Sequence, residues 1–183
     1  MILVLSTYRS ASTWYCSALA ERNTLYNYDE LFHESQCDLH KQSLRELARN
    51  NSCVVKIFPY HFSSTPVPLL IDKLINIASE VHVVVRKDFD AQLRSYYIAK
   101  QLRDWHSDID SAAVAYDDEK WQQYHKFLYN QHVELSNIVK SIVTVPCLIK
   151  YTEDFPQTSK YKRTVTWDQQ PPAVTTDIIS LYQ

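Results

Sequence analysis

The chain contains no glycine among its 183 residues. Glycine reaches positive φ angles without a steric penalty, so a chain without it is expected to make its tight turns with Asn, Asp, Ser and Pro. Two common nucleotide-binding fingerprints, GxGxxG and GxxxxGK followed by Ser or Thr, both need glycine and are therefore excluded. Any turn that binds phosphate in this chain has to be built from other residues.

Short apolar runs alternate with amphipathic patterns along the chain. Buried strands are predicted at 2–5, 53–58, 81–85 and 142–149. Helices are predicted from Trp14 onwards and at 43–50, 66–78, 88–102 and 119–140, with a last short helix at 177–182. The acidic stretch 104–118 is predicted to be a loop.

Strands that alternate with helices predict βαβ units with right-handed crossovers. The expected fold is α/β, a three-layer, P-loop-like fold with a central, mainly parallel sheet of four or five strands flanked by helices. Residues 1–183 are expected to form a single domain, since no linker or internal repeat divides them. Ligands of such folds lie beyond the carboxyl ends of the strands, which places Arg9, the turn at Phe58 and Arg86 along one edge.

Composition narrows the class of protein. The formal net charge of −2 argues against a general nucleic-acid-binding protein. No apolar run approaches the length of a membrane span, and Arg9 interrupts the N-terminal apolar run too early for a signal peptide. The cysteines form no CxxC pair, so we expect reduced thiols in a cytoplasmic protein and no metal site; they are Cys16, Cys37, Cys53 and Cys147.

The polar turn after the first predicted strand has the composition of an anion-binding site. Residues 6–13 carry Arg9 together with the hydroxyl groups of Ser10, Ser12 and Thr13, and the first predicted helix follows. The N–H groups of a first helical turn point outwards, and the helix dipole favours negative charge there. The alternative is an ordinary N-cap beside a surface arginine. An arginine and several hydroxyls within one turn favour the anion site.

This turn, Tyr8-Arg9-Ser10-Ala11-Ser12-Thr13-Trp14, resembles the 5′-phosphosulfate loop of sulfotransferases that use 3′-phosphoadenosine 5′-phosphosulfate (PAPS). The family's pattern reads roughly Pro-Lys/Arg-Ser-Gly-Ser/Thr-Thr-Trp/Leu. Tyr8 replaces the proline and Ala11 the glycine, so the backbone at Ala11 has to avoid positive φ or accept roughly 1 kcal/mol of strain. The resemblance implies a catalytic role for Arg9 and PAPS binding by Arg9, Ser10, Ala11, Ser12, Thr13 and Trp14.

A second motif begins at the end of the third predicted strand. Arg86, Asp88, Gln92 and Ser95 have the spacing Arg-x-Asp-x-x-x-Gln-x-x-Ser, which resembles the 3′-phosphate motif of sulfotransferases. The spacing is closest to that of the bacterial trehalose sulfotransferase branch. The resemblance implies that Arg86 and Ser95 bind the 3′-phosphate of PAPS. Taken alone, the same residues also fit a strand-terminal arginine, an N-cap aspartate and a surface serine.

Weaker similarities concern the catalytic base. The segment 54–59 resembles the family's strand that reads Lys-Thr-His-Leu-Pro, in which the histidine is the base, but Phe58 occupies that position. Residues 28–32 resemble the segment that supplies the base in the trehalose branch. The resemblance makes Glu30 the expected catalytic base, with His33 and His61 in reserve; a solvated loop carboxylate is the alternative for Glu30.

One further segment resembles a part of the family that is expected to be structural. Residues 151–155, Tyr-Thr-Glu-Asp-Phe, resemble the family's Tyr-Glu-Asp-Leu at the end of a core strand, with one residue inserted. We expect this segment to support the site rather than to take part in the chemistry.

The expected function is transfer of a sulfuryl group from PAPS to a hydroxyl acceptor, which is a carbohydrate or another small molecule, with PAP as the product and without a metal. Two alternatives stay open: a P-loop-like nucleotide kinase or NTPase, and a non-catalytic nucleotide-binding protein. A kinase needs a Lys-Ser/Thr pair and a carboxylate for Mg²⁺, and the first turn has neither the pair nor a glycine. We expect no nucleic-acid partner and no membrane span.

Overall fold

Helices and strands alternate along the chain in the computed structural model, which describes residues 1–28, 46–47, 49, 52–58, 68–103, 111–155 and 164–183. The strands are β1 Ile2–Ser6, β2 Tyr26–Asn27, β3 Cys53–Ile57, β4 Glu80–Val85, β5 Ser111–Val114, β6 Cys147–Tyr151 and β7 Thr164–Trp167. The helices are α1 Ser12–Asn23, α2 Pro68–Ile77, α3 Phe89–Leu102 and α4 Asp118–Ser141, with 3₁₀ turns at Thr152–Asp154 and Ile179–Tyr182. Residues 46, 47 and 49 are also helical.

Five strands form a central sheet in the order β2-β3-β1-β4-β6. All of its pairings are parallel, and Ile2 of β1 lies opposite Val54 on one side and Glu80 on the other. The prediction of an α/β fold with a parallel sheet of four or five strands is confirmed. The carboxyl ends of the neighbouring strands β3, β1 and β4 meet at one edge, which is where the first turn and Arg86 follow their strands.

Helices cover both faces of this sheet. Leu3 and Leu5 of β1 belong to the larger core, which also contains side chains of α2, α3 and α4. Val4 packs on the opposite face with Cys16 and Ala20 of α1. Strands that are buried on both faces read as continuous apolar runs, and this is why the sequence identified them.

Two predictions about the second half of the chain are wrong. The strand predicted at 142–149 is β6, which begins only at Cys147. Ile142 still caps α4 through its N–H, 3.1 Å from Val139 O, and Pro146 has no N–H to donate to a ladder. The stretch predicted as a loop contains β5, which pairs in parallel with β7 in a separate two-stranded sheet; residues 104–110 of that stretch lie outside the described part.

Cys16, Cys53 and Cys147 carry free thiols, as expected for reduced cysteines. None of the helices in the described part is long and apolar enough to cross a membrane. A cytoplasmic location stays a prediction.

Candidate functional site

The turn between β1 and α1 contains two residues with left-handed backbone. Arg9 has a φ of 59°, and Ala11 has a φ of 58° with a ψ of 22°. Among the residues that the structure describes, positive φ occurs at Arg9, Ala11, Thr24 and Arg103, so the prediction that Asn, Asp, Ser and Pro make the tight turns is wrong at these positions. Ala11 occupies the glycine position of the sulfotransferase pattern and adopts a conformation that costs a residue with a Cβ atom roughly 1–2 kcal/mol.

The N-terminus of α1 lacks a side-chain cap. Ala11 is the N-cap residue and makes no side-chain hydrogen bond, and the first turn of the helix contains no acidic residue. The first backbone hydrogen bond of the helix joins Tyr15 N to Ala11 O at 3.0 Å. The N–H groups of residues 12–14 therefore have no intrahelical acceptor, and the helix dipole makes this end attractive to an anion.

Arg9 and Ser95 bring the two sequence motifs together. Nε of Arg9 donates a hydrogen bond of 2.8 Å to Oγ of Ser95 on α3, across 86 residues of sequence. Both side chains are partly buried. Residues that the resemblance assigns to the 5′ and 3′ ends of the cofactor thus lie in direct contact.

Arg86 follows β4 at the same edge of the sheet and is partly buried. Within the described residues, no hydrogen bond or ion pair involves its guanidinium group. Burial lowers the pKa of Arg86, while the carboxylates of Asp88 and Glu153 act in the opposite direction. The oxygens of Glu153 accept hydrogen bonds from the N–H groups of Lys87 and Asp88 at 3.0 and 3.1 Å. A partly desolvated guanidinium with donors to spare is suited to binding an anion.

Lys56 is a candidate that the sequence analysis did not single out. It lies on β3 with a fully buried side chain, and its Nζ donates a hydrogen bond of 2.6 Å to Oγ1 of Thr13 in the first turn of α1. A fully buried lysine is normally paired, and Thr13 Oγ1 is one partner of this ammonium group, which places it beside the N-terminus of α1. The signal was present in the sequence, because Lys56 interrupts the apolar run of β3.

Polar side chains fix the turn from within the fold. Oγ of Ser10 donates to Thr7 O at 2.9 Å, so the proton of this hydroxyl is used within the turn. Gln92, fully buried on α3, donates from Nε2 to Oγ1 of Thr7 at 2.8 Å and to Tyr8 O at 2.5 Å. The glutamine of the second motif therefore holds the backbone of the first.

The 3₁₀ turn after β6 also supports the site. Oγ1 of Thr152 lies 2.8 Å from Ser10 O and 3.2 Å from Val85 O, so it connects the first turn to the end of β4. Glu153 receives the N–H groups of the β4–α3 connection. The segment 151–155 has the supporting position that its sequence predicted.

Trp14 belongs to an aromatic group. Its ring stacks on Phe155 with centroids 5.6 Å apart, and Phe155 also stacks on Tyr15 at 4.9 Å. Burial raises the pKa of Tyr15 to about 12, and its hydroxyl lies 2.7 Å from Nδ1 of His82. One face of the Trp14 ring is already covered, so a purine base has only the other face on which to stack.

The described residues do not place the catalytic base. Glu30, His33 and His61 lie outside the described part of the chain, so their roles stay predictions. Phe58 is 5% exposed, and its ring stacks on Tyr8 with centroids 5.1 Å apart. A phenyl ring has no atom that accepts a proton, so the position of the family's histidine supplies no base here.

No known protein family matches the chain, and no curated protein matches it either. In the portion of the chain covered by the structure, no group of three or more His, Cys, Asp or Glu side chains is arranged to hold a metal ion. The resemblance to sulfotransferases therefore rests on the two motifs and on the geometry that joins them.

Proposed function

We propose that the chain is a PAPS-dependent sulfotransferase that transfers a sulfuryl group to the hydroxyl group of a carbohydrate or another small molecule. The contact between Arg9 and Ser95 carries this proposal, because it joins two motifs that the sequence separates by more than 80 residues. The neighbouring strands β3, β1 and β4 bring Lys56, Arg9 and Arg86 to one edge of the sheet. Cationic groups gathered beside an uncapped helix N-terminus suit a ligand with more than one anionic group.

Each end of PAPS has a set of donors in this arrangement. The uncapped N–H groups of residues 12–14 and the guanidinium of Arg9 bind the 5′-phosphosulfate. Arg86 and Ser95 bind the 3′-phosphate; Ser95 accepts a hydrogen bond from Arg9 and keeps its own hydroxyl proton for a phosphate oxygen. Lys56 adds a buried positive charge beneath Thr13, close to the place where negative charge grows on the leaving phosphate.

The reaction moves SO3 in line from one oxygen to another. The bond from sulfur to the bridging phosphate oxygen breaks, the bond from sulfur to the acceptor oxygen forms, and PAP leaves with the electron pair. By analogy with phosphoryl transfer, the transition state is loose, so the protein contributes mainly position and charge stabilisation. Arg9 neutralises charge on the bridging oxygen, and a base accepts the proton of the acceptor hydroxyl.

Glu30 is the base in this proposal. It is supported by the resemblance of residues 28–32 to the trehalose branch and by Phe58, which removes the histidine that other family members use. His33 and His61 are the alternatives.

A thermal-shift experiment tests the binding half of the proposal. PAP without Mg²⁺ is expected to raise the unfolding temperature, because a ligand of the folded state at 100 times its Kd contributes about 2.7 kcal/mol. ATP with Mg²⁺ and S-adenosylmethionine are expected to produce much smaller shifts. Equal shifts with ATP and PAP, or a strict need for Mg²⁺, would contradict the sulfotransferase and favour the nucleotide kinase.

A non-catalytic nucleotide-binding protein is the second candidate, and the buried phenyl ring of Phe58 is the observation in its favour. Both candidates bind PAP, so the separating measurement is transfer of radiolabelled sulfate from PAPS to a panel of sugars and phenols. Labelled product that depends on Arg9 supports the enzyme. PAP binding without any transfer across the panel supports the second candidate.

A further inference from the structure

The last residues of the chain connect to the first turn through a buried line of hydrogen bonds. Oη of Tyr182 lies 2.9 Å from Nδ1 of His132 on α4, and Nε2 of His132 lies 2.9 Å from Oε1 of Gln92 on α3. The line ends at Thr7 and at the carbonyl oxygen of Tyr8, both of which accept hydrogen bonds from Nε2 of Gln92. Gln92 and His132 are fully buried.

The proton positions in this line follow from its shortest contacts; Nε2 of His132 also lies 3.3 Å from Oγ1 of Thr7, and Oη of Tyr182 lies 3.5 Å from His132 O. The carbonyl oxygen of Tyr8 can only accept, so the group of Gln92 that faces it is the amide NH₂, and Oε1 faces His132. Oε1 can only accept as well, so Nε2 of His132 carries a proton. Burial lowers the pKa of His132 to about 3, which keeps the ring neutral and leaves Nδ1 as an acceptor. The hydroxyl of Tyr182 is therefore the donor to Nδ1.

The line of hydrogen bonds ends at the peptide group between Tyr8 and Arg9, which belongs to the first turn. A peptide unit is planar, so a fixed carbonyl at Tyr8 also fixes the N–H of Arg9 on the opposite side of the same plane. Arg9 is one of the two left-handed residues of the turn, and a strained conformation persists only where its surroundings determine it. The amide of Gln92 holds this peptide through its bond to Tyr8 O.

We propose that Tyr182 is a positioning residue of the anion-binding turn, acting through His132 and Gln92 on the peptide between Tyr8 and Arg9. Tyr182 does not touch the site itself. Its hydroxyl donates to Nδ1 and so stabilises the tautomer of His132 whose Nε2–H binds Oε1 of Gln92. That bond supports the amide of Gln92, and the amide holds the turn in the conformation that presents Arg9 to Ser95. The proposal rests on the proposed function only where PAP is used as the probe.

The alternative is that the line merely stabilises the core, and a matched pair of variants separates the two. Tyr182→Phe removes the first donor of the line. Tyr97→Phe removes another tyrosine hydroxyl bound in the fold, which donates to Ala115 O at 2.9 Å and accepts from Asp117 N at 2.8 Å, outside the line. Both variants are expected to lower the unfolding midpoint in urea.

Only Tyr182→Phe is expected to change the turn. Amide hydrogen exchange of residues 9–13 in the ligand-free protein should become faster, and PAP should bind roughly three- to tenfold more weakly, as expected for one lost buried hydrogen bond. Tyr97→Phe should leave both properties at the wild-type value. Wild-type exchange at residues 9–13 in Tyr182→Phe, or the same change in Tyr97→Phe, would overturn the proposal.

Substitutions of His132 test which of its two hydrogen bonds, to Gln92 or to Tyr182, affects the turn. His132→Gln can still present an N–H near Oε1 of Gln92, whereas His132→Asn reaches only towards Tyr182. The proposal expects PAP to bind more tightly to the glutamine variant than to the asparagine variant, with similar unfolding midpoints. The reverse order would overturn it. If wild-type protein does not bind PAP, the proposed function fails, and hydrogen exchange at residues 9–13 still decides the role of Tyr182.

Discussion

Replacement of Ala11 by glycine is expected to stabilise the protein, although glycine at most positions destabilises. Ala11 is exposed, so the lost methyl group removes little packing, and its φ of 58° lies in the left-handed region. That conformation costs a residue with a Cβ atom roughly 1–2 kcal/mol. The greater freedom of glycine in the unfolded chain offsets about 0.4–1 kcal/mol of this. The difference predicts a net gain on the order of 0.5–1 kcal/mol in the free energy of unfolding.

Ala18→Gly is the control, because it makes the same chemical change inside α1, where the backbone is right-handed. It should cost about 1 kcal/mol. Urea denaturation of the three proteins gives the comparison, and shifts in midpoint at constant slope report stability alone. If Ala11→Gly destabilises the chain as Ala18→Gly does, the left-handed turn and the likeness of Ala11 to the family's glycine are both refuted.

Three further predictions concern ligand binding, turnover and pH. Arg86→Ala should weaken PAP binding by on the order of 2–3 kcal/mol, because it removes a charge-assisted pair of hydrogen bonds, and the circular dichroism spectrum should stay unchanged. An unaltered affinity measured by calorimetry would mean that the 3′-phosphate binds elsewhere. Glu30→Gln should lower sulfuryl transfer roughly 10²–10⁴-fold with PAP affinity nearly unchanged, and Glu34→Gln should do little; near wild-type turnover of Glu30→Gln would point to His33 or His61. The pKa of His132 is about 3 in the folded chain and about 6.5 in the unfolded chain, so the unfolded state binds the extra proton between these values and stability falls as pH is lowered through that window. Urea denaturation at a series of pH values should show a smaller loss of stability at low pH in His132→Gln than in the wild type. An equal loss in both proteins would mean that His132 does not cause it; in the described part, the only titratable hydrogen-bond partner of this ring is Tyr182.

The sequence was a good guide to the central sheet for a physical reason. Parallel strands buried on both faces are largely apolar, and the runs of β1, β3 and β4 were visible between amphipathic helices. β5 and β7 were missed because each is only four residues long and each is paired with a strand about 50 residues away. A short strand with one non-local partner leaves no local pattern to detect.

The site was predictable only in part. The motifs named Arg9, Arg86 and Ser95 as members of one site, and the contact between Arg9 and Ser95 agrees with that. No local pattern marks the contacts of His132 and Tyr182, because these hydrogen bonds join α3, α4 and the last 3₁₀ turn, which are far apart in the sequence. The left-handed conformation of Ala11 could not be predicted from its residue type, because alanine normally avoids positive φ. The energetic cost is small enough for tertiary contacts to impose this conformation.

Two electrostatic features beside the first turn are unfavourable in the ligand-free protein, and a bound anion would relieve both. The N-terminus of α1 has no acidic residue and no side-chain cap, and the guanidinium group of Arg86 is partly desolvated. Ala11 adds backbone strain to these features, and glycine at that position would relieve it. A bound anion relieves these two electrostatic features at once, because it accepts from the helix N–H groups and compensates the charge of Arg86. Features that stability disfavours and that an anion corrects together are expected where the fold is adapted to bind one, so a phosphate-containing ligand should raise the stability of this protein more than its contacts with Arg86 alone would suggest.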